Sequence, residues 1–250
     1  NHGSMRSPRQ RTRKIAGNMH RLTHFRLCPL SRSVRAVLAE LGLQFNSFEE
    51  QPWDLSTPFL QLNPAGELPV LEIEAGPVLC GTYSISEYVA EELKRHPVDG
   101  LSVPLFPGSR EERAEVRRLV DWFHGKMHRE VTRELLYEKV YARLQPGTSG
   151  LSPDSDILRA IRANLRYHLS YIGYLAYGRR WLAGEDMSFA DLAAAAQLST
   201  IDYFDEVPWE AYPQAKDWYV RIKSRPSFRP LLADRVPGTP PPRHYTDLDF

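Results

Sequence analysis

The chain has 250 residues, of which 42% are hydrophobic and 25% charged, a composition typical of soluble globular proteins with one large or two modest domains. It contains no run of about 18 apolar residues, which argues against a membrane-spanning helix and direct membrane insertion. The formal net charge is +1, but beyond the first 18 residues 27 basic residues face 31 acidic ones, a poor match to nucleic acid. The cysteine count of two argues against a disulfide framework and favours a reducing, cytoplasmic compartment.

The first 19 residues form a basic arm without an acidic residue. The opening Asn-His-Gly-Ser is typical of a cloning remnant, and Met19 is a second possible start. We therefore predict that residues 1–19 are disordered and lie outside the fold. The charged residues of this arm are Arg6, Arg9, Arg11, Arg13 and Lys14.

Residues 20–94 are predicted to form a domain in which strands and helices alternate. Alternating apolar and polar residues over 21–27 predict a first strand, and helical spacing of apolar residues up to Leu41 predicts the helix after it. A second strand is predicted at 44–49, then two short strands joined by a tight turn, then a helix capped by Thr82. This order predicts parallel pairing of the first two strands and a hairpin of the last two.

Residues 95–108 are interrupted by proline and glycine and are predicted to be a linker. Residues 109–234 carry long apolar stripes at helical spacing and are predicted to be an all-helical domain. Ser188 and Asp191 predict a capping box, with Met187 and Leu192 as its hydrophobic staple. The apolar run that follows predicts that this helix is the buried centre of the domain. The predicted fold class is therefore α/β plus all-α.

Residues 235–250 are predicted to form an extended, proline-rich C-terminal tail. Proline stiffening lowers the entropy lost when such a segment docks, and apolar anchors with acidic neighbours suit a basic groove on a partner. A frayed end is the alternative. The residues that we expect to contact a partner are Arg243, His244, Tyr245, Asp247, Leu248, Asp249 and Phe250.

Cys28 is a candidate reactive thiol because it lies where the first strand meets a helix. Amide groups and the helix dipole favour a thiolate there, and Arg32 and Arg35 add positive charge. Ser31 cannot resolve a mixed disulfide, so the pattern suits a single-thiol nucleophile. The alternative is a small residue packed in a tight turn, and the sequence leaves both open.

Leu68-Pro69 enters a predicted strand from a turn and is a candidate cis peptide bond. A cis bond would turn the Leu68 backbone outward, where it could pair with an extended, peptide-like ligand. The alternative is simply a rigid turn.

Over roughly residues 20–232 the sequence resembles the cytosolic glutathione transferases. The resemblance rests on Cys28-Pro29-Leu30-Ser31, on Asn-Pro-Ala-Gly-Glu-Leu-Pro-Val-Leu at 63–71, on the helix opening Thr-Tyr-Ser-Ile-Ser-Glu-Tyr, on the Ser-Phe-Ala-Asp capping box, and on the segment from Tyr212 to Ser227. It implies a thioredoxin-like N-terminal domain, a helical C-terminal domain, a homodimer and a glutathione site at the cleft. The glutathione-pocket positions that it implies are Cys28, Ser31, Leu68, Pro69, Gly81 and Thr82.

One departure from that family concerns the γ-glutamyl end of glutathione. Where the family has an acidic or amide residue followed by Ser, this chain has Gly81 and Thr82. Losing one or two charge-assisted hydrogen bonds to glutathione costs roughly 1.5–3 kcal/mol of binding free energy each. We therefore predict that the glutathione site is only partly retained. We therefore expect no catalytic residue and no cofactor. Glutathione would be bound only if the chain is a transferase or a glutathione-dependent thiol reductase using Cys28.

The segment from Met19 to Arg35, together with the ending Tyr-Thr-Asp-Leu-Asp-Phe, resembles the glutathione-transferase-like cell-division proteins of alphaproteobacteria. That resemblance implies binding to the tubulin-like protein FtsZ, control of its filaments, a further division partner for the tail, and a location at the division site. It also implies little or no dependence on glutathione.

Three other features carry less weight. His124 and His128 lie four residues apart without a third ligand, so we predict a solvated helix face and no metal site. The acidic residues before the last helix are predicted to lie in a solvated loop, and the alternative is that they line a partner surface; they are Asp202, Asp205, Glu206 and Glu210. Trp53 is either exposed near the cleft or a partly buried anchor.

Overall fold

A computed structural model describes residues 19–95, 104–148, 150 and 152–250, and it has an α/β unit followed by a helical unit. This arrangement confirms the predicted fold class. The elements of the first unit are β1 (His20–His24), α1 (Pro29–Glu40), β2 (Phe45–Glu49), α2 (Thr57–Leu62), β3 (Val70–Glu72), β4 (Val78–Cys80) and α3 (Thr82–Arg95).

The four strands form one sheet in the order β2-β1-β3-β4. β1 pairs in parallel with β2, with Leu22 opposite Ser47, as the strand–helix–strand order predicts. β3 pairs antiparallel with both β1 and β4, so Leu71 lies opposite Leu22 on one side and Leu79 on the other. The buried side chains of Leu22 and Leu71 place the core of this unit along the two central strands.

The helical unit begins with a long continuous helical segment from Arg110 to Leu144. Ser109 and Glu112 form a capping box at its start, and two stretches of it are π-helical. Its parts are α4 (Arg110–Asp121), a π-helical stretch (Trp122–Thr132), α5 (Arg133–Leu136), a second π-helical stretch (Tyr137–Tyr141) and α6 (Ala142–Leu144). The later elements are α7 (Ser155–Gly178), α8 (Phe189–Tyr203), a 3₁₀ turn (Trp209–Ala211), α9 (Pro213–Lys223), α10 (Arg229–Leu232) and a 3₁₀ turn (Arg243–Thr246).

α8 is the buried centre of the helical unit, as its apolar sequence predicts, because every one of its residues is buried. The predicted capping box is confirmed: Ser188 accepts from the first turn, and Asp191 accepts from the Ser188 amide at 3.0 Å. Asp191 also accepts from the Leu182 amide and the Trp218 indole, both at 2.9 Å. A buried carboxylate with three donors fixes the start of this helix against its neighbours.

The basic arm, apart from Met19, and most of the predicted linker lie outside the described residues. The boundaries assigned to the arm, the linker and the two domains therefore remain predictions. Within the described residues, no helix combines the length and hydropathy needed to cross a bilayer.

The predicted solvated face at His124 and His128 is wrong, because both rings are largely buried. Neither ring nitrogen of His124 has a hydrogen-bond partner, and its ring packs against Phe189 at 5.4 Å. Nδ1 of His128 lies 3.1 Å from the Thr132 hydroxyl. Burial lowers the pKa of His124 to about 3 and that of His128 to about 4. In the described residues no group of three potential ligands could hold a metal ion.

These two histidines should make folding sensitive to acid. Both stay neutral in the folded protein, whereas in the unfolded chain they take up protons near pH 6.5. The free energy of unfolding should therefore fall as the pH drops from about 6.5 towards 4, by up to about 1.4 kcal/mol per pH unit for each histidine. Urea denaturation between these pH values should show a shallower loss for His124→Gln than for the original chain. Equal slopes for the two proteins would contradict the assignment.

Candidate functional site

Cys28 occupies the predicted position at the start of α1, where burial works against a thiolate. Its backbone is extended and caps the helix without a side-chain hydrogen bond, and the residue is 8% exposed. Burial raises the pKa of the Cys28 thiol, and hydrogen bonds from Ser31 and Leu30 together with the charge of Arg32 do not offset it. Of the two readings that the sequence left open, the structure favours a small residue packed in a tight turn.

Three aromatic rings pack together beside this thiol. Phe25 lies 5.4 Å from Trp53 and 5.8 Å from Tyr141, centroid to centroid, and the last two rings are 5.7 Å apart. Burial, and then the neighbouring Cys28, raise the pKa of Tyr141 well above its ordinary value. Of the two alternatives for Trp53, exposed near the cleft or a partly buried anchor, the structure shows the second. The sequence gives no local signal for this cluster, because its members come from three distant segments.

Among the remaining glutathione-pocket positions, Ser31 and Pro69 make hydrogen bonds within the fold. Ser31 is fully buried, and its hydroxyl accepts from the Phe25 amide at 3.4 Å. The Leu68-Pro69 bond is cis, the first of the two alternatives, and the Pro69 carbonyl accepts from the Gly81 amide at 2.9 Å.

Gly81 has a positive φ of 83°, and no atom lies within 4 Å of the place where a β-carbon would stand. Thr82 is the first residue of α3 rather than its predicted cap. Thr82 lines a cavity of about 610 Å³ between α3 and α4, to which Cys28 does not contribute.

The C-terminal segment is folded onto the helical unit, whereas the sequence predicted an extended tail. Val236 and Thr239 form a β-bridge, and a 3₁₀ turn follows at Arg243–Thr246. Tyr245 is fully buried, with its ring 5.3 Å from that of Tyr203. An isolated sequence pattern cannot reveal this burial, because the pocket for Tyr245 is built by α8 and α10.

Lys223 of α9 fixes the residues on either side of Tyr245. Its ammonium donates to the His244 carbonyl at 3.0 Å and lies 3.9 Å from the centre of the Phe250 ring. Burial lowers the pKa of Lys223 to about 8, although Asp202 and Asp247 oppose the shift. Phe250 packs edge-on against Trp209 at 5.3 Å.

The predicted tail residues therefore divide into two groups. His244, Tyr245 and Phe250 hold the segment on the body, and Leu248 is half-buried. Arg243, Asp247 and Asp249 remain exposed. A partner of the docked tail can contact the second group directly.

The acidic residues between 202 and 210 do not form the solvated loop that we expected. Asp202 is fully buried and accepts from the Trp209 indole at 2.7 Å, with Nε2 of His244 at 2.9 Å. Glu206 is paired with Arg162 and Lys139. The side chains of Asp205 and Glu210 are exposed.

Arg32 links the α/β unit to the helical unit and to the tail. Its guanidinium is fully buried and donates to the Arg26 carbonyl at 2.8 Å, the Ser199 hydroxyl at 2.9 Å and the Leu231 carbonyl at 3.1 Å. It also lies 6.0 Å from the centre of the Tyr245 ring. From the sequence we expected Arg32 to place its positive charge beside the Cys28 thiol. In the structure its hydrogen bonds mainly join the α/β unit to the helical unit.

The comparisons with known proteins agree with this architecture. Residues 27–92 match the model of the glutathione S-transferase N-terminal domain, and residues 143–226 match that of the C-terminal domain. The chain is 47% identical to FtsZ-localized protein A of Caulobacter vibrioides over 92% of its own length and 97% of that protein.

Two solved structures are similar over 93% of this chain and all of theirs. A glutathione S-transferase from Sinorhizobium meliloti 1021 superposes with a TM-score of 0.87 at 48% identity. FzlA from C. crescentus superposes with a TM-score of 0.84 at 46% identity.

Burial of Cys28 predicts slow reaction with thiol reagents. In a Cys80→Ser variant at pH 7.5, labelling with a disulfide reagent should be more than about tenfold slower than for a free thiol, since the thiol must first be uncovered and ionised. The matched Cys28→Ser variant should react quickly through Cys80, which is exposed. Labelling of Cys28 as fast as Cys80 would show that it is a reactive thiol after all.

The docked tail predicts that Tyr245 stabilises the whole protein. Tyr245→Ala should lower the free energy of unfolding by about 3–5 kcal/mol, because it empties a site for a large aromatic side chain. Tyr245→Phe should recover most of this loss, and Thr246→Ala, at the exposed neighbouring position, should change it by less than about 0.5 kcal/mol. Denaturant unfolding measures all three. A neutral Tyr245→Ala would mean that the tail is not docked in solution.

The matched domain models, the 47% identical relative and the shared architecture together establish that the chain belongs to the glutathione S-transferase family.

Proposed function

We propose that this chain is a non-catalytic protein that binds FtsZ filaments and regulates their organisation and curvature in bacterial cell division. The observation that carries the proposal is the 47% identity, over 92% of the chain, to a protein named for its localisation with FtsZ. In this proposal the protein acts in the cytoplasm at the division site. Its C-terminal tail contacts a further protein of the division machinery.

The state of the thiol supports binding over catalysis. Cysteine chemistry needs an accessible thiolate, whereas Cys28 is buried and its pKa is raised. Gly81 offers no side chain to a γ-glutamyl group. A fold that keeps its architecture without an activated nucleophile suits recognition of a partner.

A homodimer is part of the same proposal. The cavity of about 610 Å³ between α3 and α4 is lined by Phe106 and by Tyr83, which is 70% exposed. Exposed aromatic side chains beside a groove are typical of protein interfaces. Light scattering of the purified protein should give twice the mass of one chain, and the mass of a single chain would contradict the dimer.

Co-sedimentation with GTP-assembled FtsZ tests the main proposal. The full chain should enter the pellet with filaments and stay in solution when FtsZ is kept unassembled with GDP. A chain that stays in solution at every FtsZ concentration would contradict filament binding. Deleting the tail is a poor variant here, because removal of Tyr245 opens the core.

The contribution of the tail is better tested at its exposed charges. An Asp247→Lys, Asp249→Lys double variant leaves the buried anchors in place. Unchanged pelleting of this variant would assign FtsZ binding to the body and leave the tail free for another division protein. Loss of pelleting, with unfolding curves unchanged, would make the tail itself an FtsZ contact.

Glutathione transfer, or glutathione-dependent thiol reduction through Cys28, is the alternative function. It is favoured by the 48% identity to the S. meliloti protein, which is described as a glutathione S-transferase. Ligand at a hundred times its Kd stabilises a protein by about 2.7 kcal/mol. We expect millimolar glutathione to leave the unfolding midpoint unchanged. A clear rise, together with an activity that Cys28→Ser abolishes, would support the enzyme.

A further inference from the structure

A groove of about 580 Å³ lies between the docked tail and the segment 207–211. Its apolar lining comes from Val207, Pro208 and Trp209 on the body and from Phe250 on the tail. The groove therefore exists only while the tail is docked. An extended segment with apolar side chains could bury them against this surface.

The rim of this groove carries more negative than positive charge. Glu210 and Asp247 line it, and Glu210 is 94% exposed on its side chain. Lys216 is paired with Glu210 at 2.9 Å, and Nε2 of His244 lies 2.9 Å from Asp202. The one lysine of the lining is thus already paired, and the His244 ring is engaged by a buried carboxylate.

Two further acidic residues lie beside the groove. Asp249 is exposed and donates its amide to the Asp247 carboxylate at 3.0 Å, which places the two side by side in the tail. Among the described residues, the ion pairs of this region are Lys216–Glu210, His244–Asp202 and His244–Asp205, so neither Asp247 nor Asp249 takes part in one. Asp247 attracts the Lys223 ammonium without forming such a pair. Asp205, 71% exposed on its side chain, is 4.0 Å from His244 on the same side. Unpaired carboxylates around an apolar groove favour a cationic ligand.

The groove is preformed rather than assembled by its ligand. Tyr245 anchors the tail in the core, and Lys223 holds the His244 carbonyl and the Phe250 ring. A ligand therefore does not have to order the tail, so binding loses less conformational entropy. Nucleic acid and anionic membranes are disfavoured as occupants, because their phosphates would face these carboxylates.

We infer that this groove binds an extended segment of a partner protein in which basic residues alternate with apolar ones. The inference rests on the proposed contact of the tail with a division protein and adds the chemistry of that partner. Apolar side chains of the segment contact Trp209 and Phe250, while its arginine or lysine side chains pair with Asp247 and Asp249.

Fluorine NMR of the protein labelled with 5-fluorotryptophan can detect this binding at one residue. The chain has five tryptophans, and Trp209→Phe identifies the Trp209 signal. A peptide of three Arg-Leu-Pro repeats should shift that signal and leave the signals of Trp122 and Trp181 in place. A peptide of three Glu-Leu-Pro repeats is the matched control and should shift none. No shift with the first peptide, or equal shifts with both, would overturn the inference.

Charge variants test the rim. Asp247→Lys with Asp249→Lys should raise the Kd of the basic peptide roughly tenfold at low salt, with a smaller factor at high salt. Glu111→Lys with Asp156→Lys changes the net charge equally at two exposed positions outside the groove and should leave the Kd within about twofold. Equal weakening by both double variants would mean that the overall charge of the protein, rather than the groove, sets the Kd, and it would overturn the inference.

The same samples separate this inference from the proposed function. Failure of the original chain to sediment with FtsZ filaments, while the basic peptide still shifts Trp209, would remove the FtsZ proposal and keep the groove. Sedimentation with filaments without any peptide effect would keep the FtsZ proposal and remove the groove.

Discussion

The buried guanidinium of Arg32 is the interaction on which the junction of the two units depends. A charge without access to water must be paired and have its donors satisfied, and leaving a buried charge without its ionic partner typically costs about 3–5 kcal/mol. The ionic partner of Arg32 is Asp234, whose carboxylate lies 3.5 Å from the guanidinium. Here the acceptors come from the loop before α1, from α8 and from α10, with the Tyr245 ring alongside. One side chain therefore fixes α1 against the centre of the helical unit and ties the tail to both.

Because the guanidinium of Arg32 is held at the junction, the start of α1 differs from a reactive thiol site. The helix terminus and nearby arginines would normally favour a thiolate, but Arg32 is directed to the junction and Arg35 is paired with Asp234. Phe25, Trp53 and Tyr141 then supply an apolar environment in which the neutral thiol is the stable form. Of the positions that the family places around glutathione, Ser31 and Pro69 make hydrogen bonds within the fold, whereas Gly81 faces open space and Thr82 lines a cavity.

Features set by neighbouring residues could be predicted from the sequence, and features set by distant ones could not. The capping box of Ser188 and Asp191 and the strand–helix–strand order depend on local spacing, so they are visible without a structure. The positions of Cys28 and Gly81 followed from motif order. The burial of His124 and Tyr245 depends on helices far away in the chain, and polar residues near a helix surface or after prolines look the same whether they are packed or solvated.

The separation of Arg32 from its partners also constrains biosynthesis. Leu231, one of its acceptors, lies 199 residues further along the chain. At a translation rate of about 5–20 residues per second, roughly 10–40 s pass between the emergence of the two. During that time the α/β unit must keep the guanidinium hydrated at an open surface. Until α10 has left the ribosome, the face of α1 that carries Arg32 lacks one of the elements that cover it in the folded protein.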